Sequence, residues 1–132
     1  MGSYERRMIS WLWEQVGGTL IREFPLLPEA AGENQIFLNA VILPDTNRQV
    51  MPNGTRLCLE GQNVMVVQTK IRYLSMRIIA KTAFYAQLVQ SLCNPRNVNP
   101  VILCAMKDQF LYRMLTANGR CKVIVCPQEI CS

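Results

Sequence analysis

The sequence predicts an α/β fold, a central mixed β-sheet flanked by helices, in the order α-β-β-β-α-β-α-β. Three observations predict it. Apolar residues recur at helical spacing over 4–16 and again over 75–92. Short apolar, β-compatible runs bounded by Gly, Pro and Asn fill the intervals. One of these runs, 63–70, carries four aliphatic residues in succession and reads as a strand buried on both faces, which needs layers on both sides.

The first helix, 4–16, places Met8, Ile9, Leu12, Trp13 and Val16 on one face, with Glu5, Arg6, Glu14 and Gln15 on the other. Gly17-Gly18 ends it. A strand over 19–24 follows and is closed by Pro25 and Pro28; residues 29–34, small and polar, form a turn. The second strand, 35–43, is apolar except for a lone Asn39 at its middle, and Pro44-Asp45 ends it. From 46 to 61 turn signals dominate (Asn47, Pro52, Asn53-Gly54, Gly61), so the stretch is expected to be a mobile loop beside the site, with a short extra strand at 56–59.

The third strand is 63–70. Ser75 caps the helix that follows, whose buried side comprises Ile78, Ile79, Ala83, Ala86 and Val89. Asn94-Pro95 ends this helix, and 100–106 is a fourth buried strand. A short helix over 109–116, stopped by Asn118-Gly119, leads to a last strand at 121–126 and a short tail.

With 132 residues, 50% hydrophobic and 17% charged, the chain is long enough for one core, and residues 1–132 form a single domain without repeats or linkers. No apolar run approaches the ~20 residues of a membrane span, so no membrane partner is expected. The first residues lead into an amphipathic segment, unlike a secretory signal. Lys and Arg total 14 against 9 acids, a net charge of +5. The surplus, mostly Arg, suits phosphate and tilts the odds toward a nucleic-acid partner. The chain has 6 Cys and no His, and the absence of His excludes Ser-His and Cys-His nucleophiles. Cys104 sits in an apolar run as a small hydrophobe, which points to a reducing, cytoplasmic setting. Cys121, Cys126 and Cys131 recur every fifth residue, but no C-x-x-C pair supports a metal cluster.

The end of the third strand is the candidate site. Alternation sends Gln68 and Lys70 to one side. Closing a buried strand with two polar groups on one face is costly unless water, charge or metal waits there.

Three successive strands, the second with a polar residue at its middle and the third ending in x-Lys, then a helix, resemble the PD-(D/E)xK nuclease superfamily. The wording Trp13-Glu14-Gln15-Val16-Gly17-Gly18-Thr19-Leu20-Ile21, Val66-Val67-Gln68-Thr69-Lys70 and Leu74-Ser75-Met76 looks like its small stand-alone bacterial members. The resemblance implies a restriction-endonuclease-like core and phosphodiester hydrolysis with Mg²⁺ or Mn²⁺. Hard cations need carboxylate oxygen, and they polarise phosphate and activate water.

Carried across, Lys70 matches the family lysine, which stabilises charge developing on phosphate. Gln68 stands where an acid is usual and offers a carbonyl to a metal. Asn39 stands in place of the metal-binding Asp. Glu14 matches the helix acid, with Glu23 as an alternative. Asp45, in Pro44-Asp45, is a second candidate for the metal-binding Asp. Arg72, Arg77 and Lys81 are candidate contacts for nucleic acid; Arg77 and Lys81, one turn apart, share a helix face. Each residue also has a plainer role open to it: Asn39 as a buried amide satisfied by backbone, Asp45 as a turn former, Lys70 as a strand-edge guard, Glu14 as a solvated acid.

Three functions fit: a metal-dependent nuclease with a degenerate site, an inactive nuclease-fold module that binds nucleic acid or a protein partner, and an interaction protein with no nucleic acid. Trp11, Trp13 and 7 Met could serve a homodimer interface as well as the core.

Overall fold

The computed structural model describes residues 2–26, 35–106, 113 and 121–131. Helix α1 (Ser3–Val16) precedes strands β1 (Thr19–Pro25), β2 (Phe37–Leu43), β3 (Gln49–Val50) and β4 (Asn63–Tyr73). Helix α2 (Met76–Cys93), β5 (Asn97–Met106), β6 (Lys122–Val125) and the helical turn α3 (Gln128–Cys131) follow. The expected helix over 109–116 and the turn over 29–34 lie outside the described residues.

The strands form one mixed sheet in the order β3-β1-β2-β4-β5-β6. β1 pairs antiparallel with β2, and β2 with β4. β4, β5 and β6 run parallel, with α2 making the crossover from β4 to β5. Helices cover both faces, as the doubly buried third strand requires. On one face Met8, Ile9 and Leu12 of α1 pack with Leu20, Ala40, Ile42, Val67, Val101 and Leu103. On the other, Val89 of α2 packs with Ile21, Val41, Val64 and Val66, while Ile78 packs with Leu74, Ile102 and Cys121. Alternation along β4 explains the split, since Val66 and Val67 point to opposite layers.

Both long helices begin and end where local chemistry dictates. Ser75 Oγ accepts the Ile78 N–H at 3.3 Å as the cap of α2, and Asn94 takes the left-handed conformation past its end. At the end of α1, the Gly17 N–H donates to Trp13 O at 2.7 Å. Gly18 follows with φ +77°, and a Cβ there would meet Leu43 O at 2.1 Å. Only glycine lets β1 start this close to the end of β2.

One expectation for 46–61 fails. No strand forms at 56–59; the extra strand is Gln49–Val50, which pairs parallel with Thr19–Leu20 at the edge of the sheet. The loop meets the candidate residues not at β4 but at Glu23 on β1, where a Cβ on Gly54 would lie 3.8 Å from Glu23 O. The Met51 N–H donates to Leu20 O and the Gly54 N–H to Arg22 O, so the segment runs along the outer edge of β1, two strands away. The reason is backbone satisfaction: the open edge of β1 offers carbonyl acceptors, whereas both edges of β4 are already paired. Residues 128–131 form a helical turn in place of a plain tail. No helix among the described residues is long and apolar enough to cross a membrane.

Candidate functional site at the strand junction

The β2–β4 ladder pairs Ile42 with Met65, Val41 with Val66 and Ala40 with Val67, and then stops. The next rung would be Asn39 opposite Gln68. There side chains replace the ladder. Gln68 Oε1 accepts the backbone N–H of Asn39 at 2.9 Å. Asn39 Oδ1 accepts the backbone N–H of Thr69 at 3.1 Å, and the Thr69 hydroxyl reaches the same oxygen at 3.5 Å. Each strand therefore satisfies a backbone donor with the other's side-chain carbonyl. Gln68 is 1% exposed, so these bonds are made out of water, where an unpaired amide is expensive.

Glu23 stands at the same level on β1, because Arg22↔Ala40 and Phe24↔Leu38 flank a Glu23–Asn39 rung. Its φ of 53° is left-handed, a conformation that costs a non-glycine residue about 1–2 kcal/mol. The usual alternation is broken here on both strands. Leu20 faces α1 and Phe24 faces α2, as Ala40 faces α1 and Leu38 faces α2. The sheet is thus irregular at one level across three strands, centred on Asn39.

Lys70 lies two residues beyond Gln68, is exposed, and by alternation shares the α2-side face with Gln68 and Val66. Arg77 and Lys81 are exposed on α2, with Lys81 Nζ 5.6 Å from the centre of the Tyr85 ring. The side chain of Arg72 lies outside the described residues.

Two candidates are not brought to this junction. Asp45 follows β2 at the other end of β4, where its Oδ2 accepts from Asn63 Nδ2. Seven residues of strand separate Asn63 from Lys70, roughly 23 Å at ~3.3 Å per residue. Glu14 is exposed on α1, across the sheet from the face of Gln68 and Lys70. It lines a cavity of about 400 Å³ together with Arg6, Arg7, Ser10, Trp11 and Arg22.

That cavity is the feature sequence reasoning missed. Arg22 sits on β1 opposite Ala40, on the face toward α1. Its Nη2 donates to Ser10 Oγ, while its Nε is buried without a partner among the described residues. Burial lowers the pKa of Arg22, and the nearby positive charge of Arg6 lowers it further. The signal was in the sequence: an arginine at an inward position of an apolar strand, read only as part of the strand.

No family model matches the sequence, and no curated protein matches it. Among solved structures, the chain is similar to a repair endonuclease from Pyrococcus abyssi, with a TM-score of 0.63 at 13% identity over 97% of this chain and 49% of that one. At this identity the likeness is one of fold. The six-stranded mixed sheet flanked by helices is consistent with a restriction-endonuclease-like fold, and the chain spans about half the length of that endonuclease.

Proposed function

We propose that this protein is a PD-(D/E)xK-type module that binds nucleic acid, DNA foremost, without cutting it. The observation that carries this reading is the reciprocal hold between Asn39 and Gln68. Where the resemblance calls for two carboxylates, two neutral amides stand, and both side-chain carbonyls already accept backbone protons.

This donor set does not fit Mg²⁺ or Mn²⁺. Such ions favour anionic oxygen arranged around the metal and surrender water reluctantly. Glu23 is the one candidate acid at this level; Asp45 lies at the far end of β4 and Glu14 across the sheet. The cationic side supports binding. Lys70 does not end β4, as the sequence suggested, because the strand runs on to Tyr73; Arg77 follows near the start of α2 and Lys81 one turn on, and all three cations are exposed. Together with a net charge of +5, they offer phosphate contacts on the α2 side.

An active metal-dependent nuclease is the second reading. The exposed Lys70, which the resemblance matches to the family lysine, and a fold similar to that of a repair endonuclease favour it. One experiment separates the two. Single-stranded, double-stranded and branched DNA, and RNA, are incubated with protein and Mg²⁺ or Mn²⁺, and binding is followed as salt is raised. Salt-sensitive binding without cleavage by wild type is expected. Cleavage abolished by Lys70→Ala would overturn the non-cutting reading, and absence of any salt-sensitive binding would overturn the nucleic-acid reading.

A further inference from the structure

From the cavity between α1 and β1, we infer a binding site for a phosphate monoester, the terminal phosphate of a nucleic-acid strand or of a free nucleotide. Arg6, Arg7 and Arg22 all line it. Among the described residues, none of the three makes an ion pair, although Glu14 and Glu129 line the same cavity. The guanidinium of Arg22 lies close enough to Arg6 that, after burial, the positive charge of Arg6 lowers its pKa further.

Folding has thus gathered like charges and left a buried donor, Arg22 Nε, unsatisfied. A buried unpaired donor on a charged group is a standing cost unless a ligand accepts it. Ser10 fixes one arm of Arg22 through Nη2, which holds the guanidinium plane in place. A planar fork held in this way matches a phosphoryl group with two oxygens to offer. Trp11 gives the cavity an aromatic wall against which a base or sugar can lie. The volume, about 400 Å³, falls in the range of small-ligand pockets.

The two acids decide between a strand end and a strand middle. A continuous backbone would bring phosphates on either side toward Glu14 and Glu129. A terminal phosphate brings its full charge to the arginines and leaves its other side in solvent. The location of the site stands apart from the α2-side surface; the class of ligand rests on the nucleic-acid reading.

The test is fluorescence anisotropy with an internally labelled single-stranded DNA carrying a 5′-phosphate, a 3′-phosphate or hydroxyl ends. A thermal-shift titration with inorganic phosphate and a nucleoside monophosphate runs beside it. Proteins compared are wild type, Arg22→Lys, which keeps charge but loses Nε, and Arg6→Gln/Arg7→Gln, whose substituted residues are exposed and outside the core. Wild type is expected to bind one phosphorylated end about tenfold tighter than hydroxyl ends, in line with a charge-assisted hydrogen bond. Both variants should lose that preference at unchanged melting temperature. Equal binding of all ends by wild type overturns the pocket and leaves the nucleic-acid reading standing. No strand binding, but thermal protection by phosphate or monophosphate that the variants lack, supports the pocket and overturns the nucleic-acid reading. No response in either assay overturns both.

Discussion

Asn39 and Gln68 close the junction between two neighbouring strands by exchanging roles: the side chain of Gln68 accepts the backbone N–H of Asn39, and the side chain of Asn39 accepts the N–H that follows Gln68. A sheet that splays must satisfy the donors that the ladder abandons. Here the side chains of two amides do so. Their oxygens serve the backbone, and the junction is held as part of the core.

Removing either acceptor should expose this debt. Gln68→Met nearly conserves volume and leaves the Asn39 N–H unpaired; Asn39→Leu does the same to Thr69. Each is expected to cost about 1–3 kcal/mol in urea unfolding. The double variant should depart from additivity, because the two bonds share one junction. Single variants within about 0.5 kcal/mol of wild type would show that the hold contributes nothing.

If the proposed non-cutting reading holds, placing acids at the junction should create a metal site. Asn39→Asp/Gln68→Glu is expected to be less stable than wild type without metal, since Gln68 is buried and a carboxylate there is unpaid in hydration. Mn²⁺ at about a hundredfold excess over its Kd should return ~2.7 kcal/mol to the variant. The measurement is the melting temperature with and without Mn²⁺. An equal rise in wild type would place a cation site in the native junction.

Gly18 and Gly61 share a positive φ and differ in space. Gly18→Ala would drive a Cβ into Leu43 O, whereas a Cβ on Gly61 meets nothing within 4 Å. Chemical denaturation should show a loss of roughly 2–4 kcal/mol for Gly18→Ala. Gly61→Ala should lose only the ~1–2 kcal/mol of the left-handed backbone. Comparable losses would mean that the approach of β1 to the end of β2 is not tight.

The thiols set a pH limit. Burial raises the pKa of Cys93 above the ordinary 9.0, with Cys58 adding to it, and burial raises that of Cys121. The folded chain therefore keeps these protons longer than the unfolded chain. Their contribution is complete below pH 9.0, the unfolded thiol value, and is lost as pH rises through the folded values. Denaturation midpoints followed from pH 7 to 10.5 should fall above about 9, and less steeply in Cys93→Ala. Alkylation at pH 8 should reach exposed Cys58 before buried Cys121. A midpoint that rises with pH above 9 would reverse the sign.

Periodicity and punctuation carried most of the secondary structure. The α1 face of Met8, Ile9 and Leu12, the cap at Ser75 and the doubly buried β4 each depend on neighbours in sequence, and each was legible there. The 56–59 segment was not, because a short β-compatible run becomes a strand only if an open edge meets it. The edge of β1 met Gln49–Val50 instead. The oddness of Asn39 in an apolar strand was equally plain in the sequence, as was the pairing of Gln68 with Lys70 on one face.

What Asn39 and Gln68 do was decided only by the tertiary structure. Their partners lie 29 and 30 residues away, and register alone brings Gln68 to the Asn39 N–H and Asn39 to the Thr69 N–H. The same holds for separation. The sequence resemblance groups Glu14 with Lys70, but α1 and the Lys70 side of β4 lie on opposite faces of the sheet. Arg22 looked like one more residue of a strand until α1 laid Ser10 and Arg6 beside it. Sequence by itself determined the long helices and the central strands, because those preferences are local, but not the edge strand Gln49–Val50 or the turn at 128–131. Side-chain burial, charge proximity and the choice of hydrogen-bond partner are set by packing across the sheet, and only the folded arrangement of layers decided them.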